Sequence, residues 1–100
     1  MAAAHAAEFT REHGFSAADW QSCLPGAVRG RPWRALGPDG VEVDIGDGRL
    51  HLCWQVLAPR RIALICIPRL SVHYAFIGVD AAARQAFMAY FDLYLQRGGG

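Results

Sequence analysis

From Ile62 to Ile67 every residue is apolar, and three of the six are isoleucine. A short run of that kind, rich in β-branched residues, reads as a strand buried on both faces. After Pro68-Arg69 the pattern changes to alternation. Val72, Tyr74 and Phe76 point one way; Ser71, His73 and Ala75 point the other, which describes a strand with two unlike faces. Proline fits poorly into the tight turns of hairpins. Pro68-Arg69 is therefore read as a wider turn joining two strands, in preference to one long strand bent at a bulge. The rest of the chain must cover these segments.

Upstream, Val41, Val43 and Ile45 alternate with Glu42 and Asp44. Beyond Gly46-Asp47-Gly48, Leu50, Leu52, Trp54 and Val56 alternate with His51, Cys53 and Gln55. A two-residue Asp47-Gly48 loop sets Ile45 opposite Leu50, Val43 opposite Leu52 and Asp44 opposite His51. A slip of one residue would turn apolar side chains to the wrong face. Trp33 to Leu36 is expected as a short edge strand ending in the turn Gly37-Pro38-Asp39-Gly40.

The helices are marked by their ends. Ala2 to His13 is rich in helix formers and stops at Gly14. Ser16 caps a second helix from Ala17 to about Leu24, with Phe15 stapled against Trp20 and Pro25-Gly26 as its stop. Asp80 caps a third over residues 81–97, ended by Gly98. Its stripe of Phe87, Met88, Tyr90, Phe91, Tyr94 and Leu95 is the natural cover for the sheet. The expectation is a single α+β domain over residues 1–100. N-terminal helices span 2–24, an antiparallel sheet of four to five strands spans 33–77, and a long C-terminal helix over 81–97 packs on one face before a tail at 98–100. Strands in a block, without β–α alternation, argue against a parallel sheet.

One hundred residues, 53% of them hydrophobic, suffice for one packed core. No apolar run approaches the roughly 20 residues of a membrane span, and the N-terminus lacks the features of a secretory signal. Three cysteines, an odd number without C-x-x-C spacing, then read as reduced thiols of a cytoplasmic protein. All ten basic residues are arginine, which points to a G+C-rich bacterial genome. A net charge of +1 supplies no global field to draw nucleic acid or membrane. No glycine-rich phosphate loop is present, and no cofactor is expected.

Candidate chemistry follows from the two faces of the hairpin. If Leu50, Leu52 and Trp54 turn to the helices, then His51, Cys53, Ser71 and His73 share the other face. His51, Cys53, Cys66 and His73 are zinc-type ligands, though not at a recognised spacing. Cys53 could instead be a nucleophile with His51 or His73 as its base and Asp44 orienting the imidazole. Arg29, Arg31 and Arg34 around Trp33 form a candidate anion or nucleic-acid contact, and Arg60, Arg61 and Arg69 gather near strand ends. Tyr90, Leu93 and Tyr94, at the margin of the last helix, are a candidate surface for a protein partner or self-association.

The ending Gln96-Arg97-Gly98-Gly99-Gly100 resembles the diglycine tail of ubiquitin-like modifiers and sulfur carriers over those few residues. It departs from them in following a helix instead of a strand, so a helix stop is the preferred reading. The functional expectation is a small binding or protein-interaction module without catalysis of its own. The alternatives are an enzyme or ligand-binding or metal-binding protein using His51, Cys53 and His73, and an arginine-mediated nucleic-acid binder.

Overall fold

The computed structural model describes residues 6–98. In chain order its elements are β1 (Glu8–His13), α1 (Ala17–Ala27), β2 (Trp33–Ala35), β3 (Gly40–Ile45), β4 (Gly48–Ile62), β5 (Ile65–Ile77) and α2 (Ala81–Gly98). The strands form one sheet in the order β1-β5-β4-β3-β2, antiparallel throughout. Strands β2 to β5 run as a meander, and β1 pairs with the last of them. The α+β class and the antiparallel sheet stand as expected, with five strands.

Both helices cover one face of the sheet because the apolar alternation of β3, β4 and β5 is presented there. Leu50, Leu52, Val72 and Tyr74 are fully buried, and Trp54 nearly so. Trp20 of α1 meets Trp54 edge-on at 5.9 Å and Phe91 of α2 at 6.0 Å. Phe91 in turn stands at 85° to Tyr74. Rings in these T-shaped pairs contribute beyond the area they bury.

Local signals act as the residue types require. Ser16 caps α1 by accepting the amide of Asp19 at 3.1 Å, and the Phe15 ring lies 6.3 Å from Trp20 as the staple. Asp80 caps α2 by accepting the amide of Ala83 at 2.8 Å. Helix α1 runs past the expected stop and includes Pro25 in its last turn. A proline there removes one donor near the end of the hydrogen-bond ladder, and burial of Ala27 and Val28 holds the turn regardless.

Four expectations are corrected. Residues 8–13 are a strand, not the second half of a helix; the beginning of that expected helix, up to residue 5, lies outside the described residues. Phe9, opposite Tyr74 in the register, stacks on its ring at 4.7 Å, a long-range contact that overrides weak helical propensity. In the β3–β4 hairpin the two-residue loop is Gly46-Asp47, with Ile45 paired to Gly48, Val43 to Leu50 and Val41 to Leu52. Gly46, at φ 57°, supplies the positive φ that the first loop position of a type II′ turn needs. This register differs by two residues from the one expected, so the faces are unchanged.

The third correction concerns the run from Ile62 to Ile67, which is not buried. Ile62 is 53% exposed, Ile65 60% and Leu64 completely. Strand β3 reaches along β4 only to Cys53, and β1 reaches along β5 only to Leu70. Beyond those points β4 and β5 continue as a two-stranded arm with no neighbouring strand among the described residues. Fourth, the chain turns at Ala63-Leu64, where Ile62 pairs with Ile65, and Pro68-Arg69 lies within β5. The register slips by one residue between Leu57 and Arg60. That is a β-bulge, so the bulge reading, not the wide turn, describes the Pro68 region.

Candidate functional site: the open sheet face and the β4–β5 arm

The face of the sheet away from the helices carries the polar half of each alternation. His51 and Cys53 of β4 lie there, as do Ser71 and His73 of β5. β1 adds Glu8, Thr10 and Glu12, and β3 adds Glu42 and Asp44. Cys53 and His73 are direct cross-strand partners.

Glu42 is the best-covered charge on this face. Its carboxylate accepts from His51 Nε2 at 2.7 Å and from Arg34 Nε at 2.7 Å, and Arg49 Nη1 lies 3.5 Å away. The His51 hydrogen bond, reinforced by Arg34, holds the Glu42 carboxyl below the usual carboxylate range. The expected Asp44–His51 pair is not formed. Asp44 pairs across the ladder with Arg49 and accepts from Arg34 Nη2 at 2.6 Å, because the two-residue change of register moves Glu42 opposite His51.

His73 is held from both sides by β1. Its Nδ1 lies 2.9 Å from the Thr10 hydroxyl and its Nε2 2.7 Å from Glu8 Oε2. Reading residues 2–13 as a helix hid both partners; the alternation of Glu8, Thr10 and Glu12 with Phe9, Arg11 and His13 was the signal that could have revealed them. Hydroxyl, imidazole and carboxylate in this order can move a proton. The Glu8 side chain, however, is 68% exposed, so the chain of contacts sits open to water. A second β1 ion pair, Glu12 with Arg69 at 2.9 Å, lowers the Glu12 pKa.

Among the proposed metal ligands, His51, Cys53 and His73 share a region and Cys66 does not. Cys66 pairs with Arg61 in the arm, seven residues along β5 from His73, roughly 23 Å away at strand spacing. No group of three or more His, Cys, Asp or Glu among the described residues is arranged to hold a metal ion.

The arginine cluster is engaged within the chain. Arg29 stacks over Tyr90 at 4.5 Å, Arg31 lies 5.6 Å from the Phe87 ring, and Arg34 is paired as described. Trp33 stays 41% exposed. On α2, Tyr94 packs against Gly26, where a Cβ would collide with its ring, and Leu93 remains 46% exposed.

Concave features among the described residues adjoin the sheet's helical side. A cavity of about 310 Å³ is lined by Arg11, His13, Phe15, Asp92, Leu95 and Gln96, with Arg11 and Asp92 ion-paired at 2.5 Å across it. His13 stacks on Trp20 at 5.3 Å, and its Nε2 lies 2.8 Å from the Tyr74 hydroxyl. Burial, with Arg11 adding to it, pushes the His13 pKa down; burial also drives the Tyr74 phenol up. A second cavity of about 150 Å³, between α1 and the β2–β3 hairpin, has Leu24, Trp33, Val41 and Trp54 in its wall.

The arm is the largest departure from ordinary burial. Register places Ile62 beside Ile65 and Arg60 beside Ile67, so alternation gathers three isoleucines on one face. Val56 is 65% exposed at the arm's root. Residues 48–79 contain no Asp or Glu. Ala63, at φ 54°, holds the tip turn in a left-handed conformation that costs a residue with a Cβ about 1–2 kcal/mol. Comparison with family models, with curated proteins and with solved structures finds no match to this chain.

Proposed function

We propose that the chain is a binding module that docks onto another macromolecule through the β4–β5 arm. The observation that carries this reading is the contiguous exposure of Ile62, Leu64, Ile65 and Ile67 on a ribbon with no strand on either side among the described residues. A lone two-stranded hairpin is marginally stable in water, and contiguous exposed apolar surface marks interaction sites. Covering a fully exposed side chain of this kind gains roughly 1.5–3 kcal/mol, and Leu64 stands to gain the most. Arg60 and Arg61, both exposed, provide the polar rim that surrounds an interface core. On this reading the arm is the docking surface, and Leu93 with its tyrosine neighbours is a secondary patch.

The test is site-specific photo-crosslinking in the source cell. A photoreactive residue at position 64 is expected to give discrete adducts, while the same residue at Gln85, on the exposed side of α2, gives none. Indistinguishable patterns from the two positions would refute docking through the arm.

A further inference from the structure

The arm and the cavity between α1 and the β2–β3 hairpin are complementary in size, polarity and charge. We propose that the arm of one copy inserts Leu64 into this cavity of a second copy, so that the chain assembles head to tail. The inference rests on the docking reading above and names its partner.

Size comes first. The cavity measures about 150 Å³, and an apolar cavity of about that volume accepts a benzene molecule; the isobutyl group of leucine is smaller. Its wall of Leu24, Trp33, Val41 and Trp54 offers no charge to a hydrocarbon. Leu64, completely exposed at the end of the ribbon, is the side chain best placed to enter a hole of that size.

Polarity agrees. Leu24, Trp33, Val41 and Trp54 line the cavity, so its wall presents carbon to an entering leucine side chain.

Charge selects the occupant. Residues 56–69 hold three of the ten arginines and none of the nine acidic residues. The arm therefore carries +3 and the remainder of the chain −2. Two arms repel one another, whereas an arm and the body of another copy attract. Asp39, exposed, lies in sequence between Pro38 and Gly40, both of which line the cavity, and adds a negative charge close to it.

The contact cannot form within one chain. Leu64 stands ten residues along the chain from Trp54, roughly 30 Å at strand spacing, and β4 runs away from the cavity. A knob and a hole at different places on the same molecule make a heterologous contact, which closes into a ring or continues as a filament.

Light scattering on the full chain and two variants tests the assignment. Wild type at tens of micromolar is expected to exceed the monomer mass. Leu64→Asp blocks the knob, Ala35→Phe fills the hole, and each alone is expected to be monomeric. An equimolar mixture of the two retains one good knob and one good hole, so it should give a heterodimer and nothing larger. Positions 64 and 35 are exposed, so matched thermal transitions are expected. If either variant misfolds, Leu64→Ser or Trp33→Ala takes its place.

A monomeric wild type, an Ala35→Phe variant that assembles like wild type, or a mixture that stays monomeric each overturns the head-to-tail contact. Two further results separate this failure from that of the docking reading. A monomeric wild type whose position 64 still crosslinks to a different protein leaves docking intact and removes self-assembly. A monomeric wild type that cosediments with phosphatidylcholine–phosphatidylglycerol vesicles, when Leu64→Asp does not, assigns the arm to an anionic lipid surface and also removes self-assembly.

Discussion

Cys53 and His73 face one another across β4 and β5, yet both nitrogens of the imidazole are engaged by β1, at Thr10 and Glu8. The His51 Nε2 is likewise taken by Glu42. A thiol becomes a nucleophile when a neighbouring base or cation stabilises its thiolate, and here each imidazole has a carboxylate partner. Cys53 is exposed and is expected to alkylate with iodoacetamide at the rate of an ordinary accessible thiol. His73→Gln should leave that rate within about twofold. A Cys53 that reacts tenfold faster than free cysteine, and slows in the variant, would restore the dyad.

Phe91 is completely buried and touches the rings of Trp20, Tyr74 and Phe87. It ties both helices to the sheet. Phe91→Ala should cost about 3–5 kcal/mol, the range for deleting a buried ring. Ile65→Ser, in the exposed arm, should fall within about 0.5 kcal/mol of wild type. Urea unfolding, followed at low protein concentration so that self-association does not contribute, measures both. An arm residue that costs as much as Phe91 under those conditions would mean the ribbon is part of the core.

His13 gives the fold an acid sensitivity that begins above the carboxylate range. Burial lowers its folded pKa below the ordinary 6.5, so between the two values the unfolded chain binds the extra proton. Stability therefore falls as pH drops below about 6.5 and is unaffected by this group above it. The carboxyls of Glu12 and Glu42, held low by Arg69 and His51, add their loss only as pH falls below about 4.5. The first phase belongs to the cluster of His13, Arg11, Asp92 and Tyr74, and His13→Gln should flatten the stability profile just below pH 6.5 while leaving the steeper fall in the carboxylate range. Denaturation midpoints measured along a pH series report this directly. An unchanged slope in the variant would assign the early phase elsewhere.

Which side of the sheet is greasy was legible from the sequence, and the reason is periodicity. Leu50, Leu52 and Trp54 alternate with His51 and Cys53, and a change of register by two residues leaves every side chain on its own face. Helix caps at Ser16 and Asp80 were equally legible, because a cap is a contact within three residues. Partners across the sheet were not. Glu42 meets His51 in place of Asp44 because the loop is Gly46-Asp47, and Glu8 and Thr10 reach His73 because a segment of good helix formers is held as a strand by Phe9 on Tyr74. Burial of the isoleucine run also lay beyond the sequence. Hydrophobicity states that Ile62 to Ile67 will seek cover, but where β1 and β3 end decides whether the chain itself provides it. Among the described residues those strands stop at Leu70 and Cys53, so neither lies beside the arm and its isoleucines stay exposed.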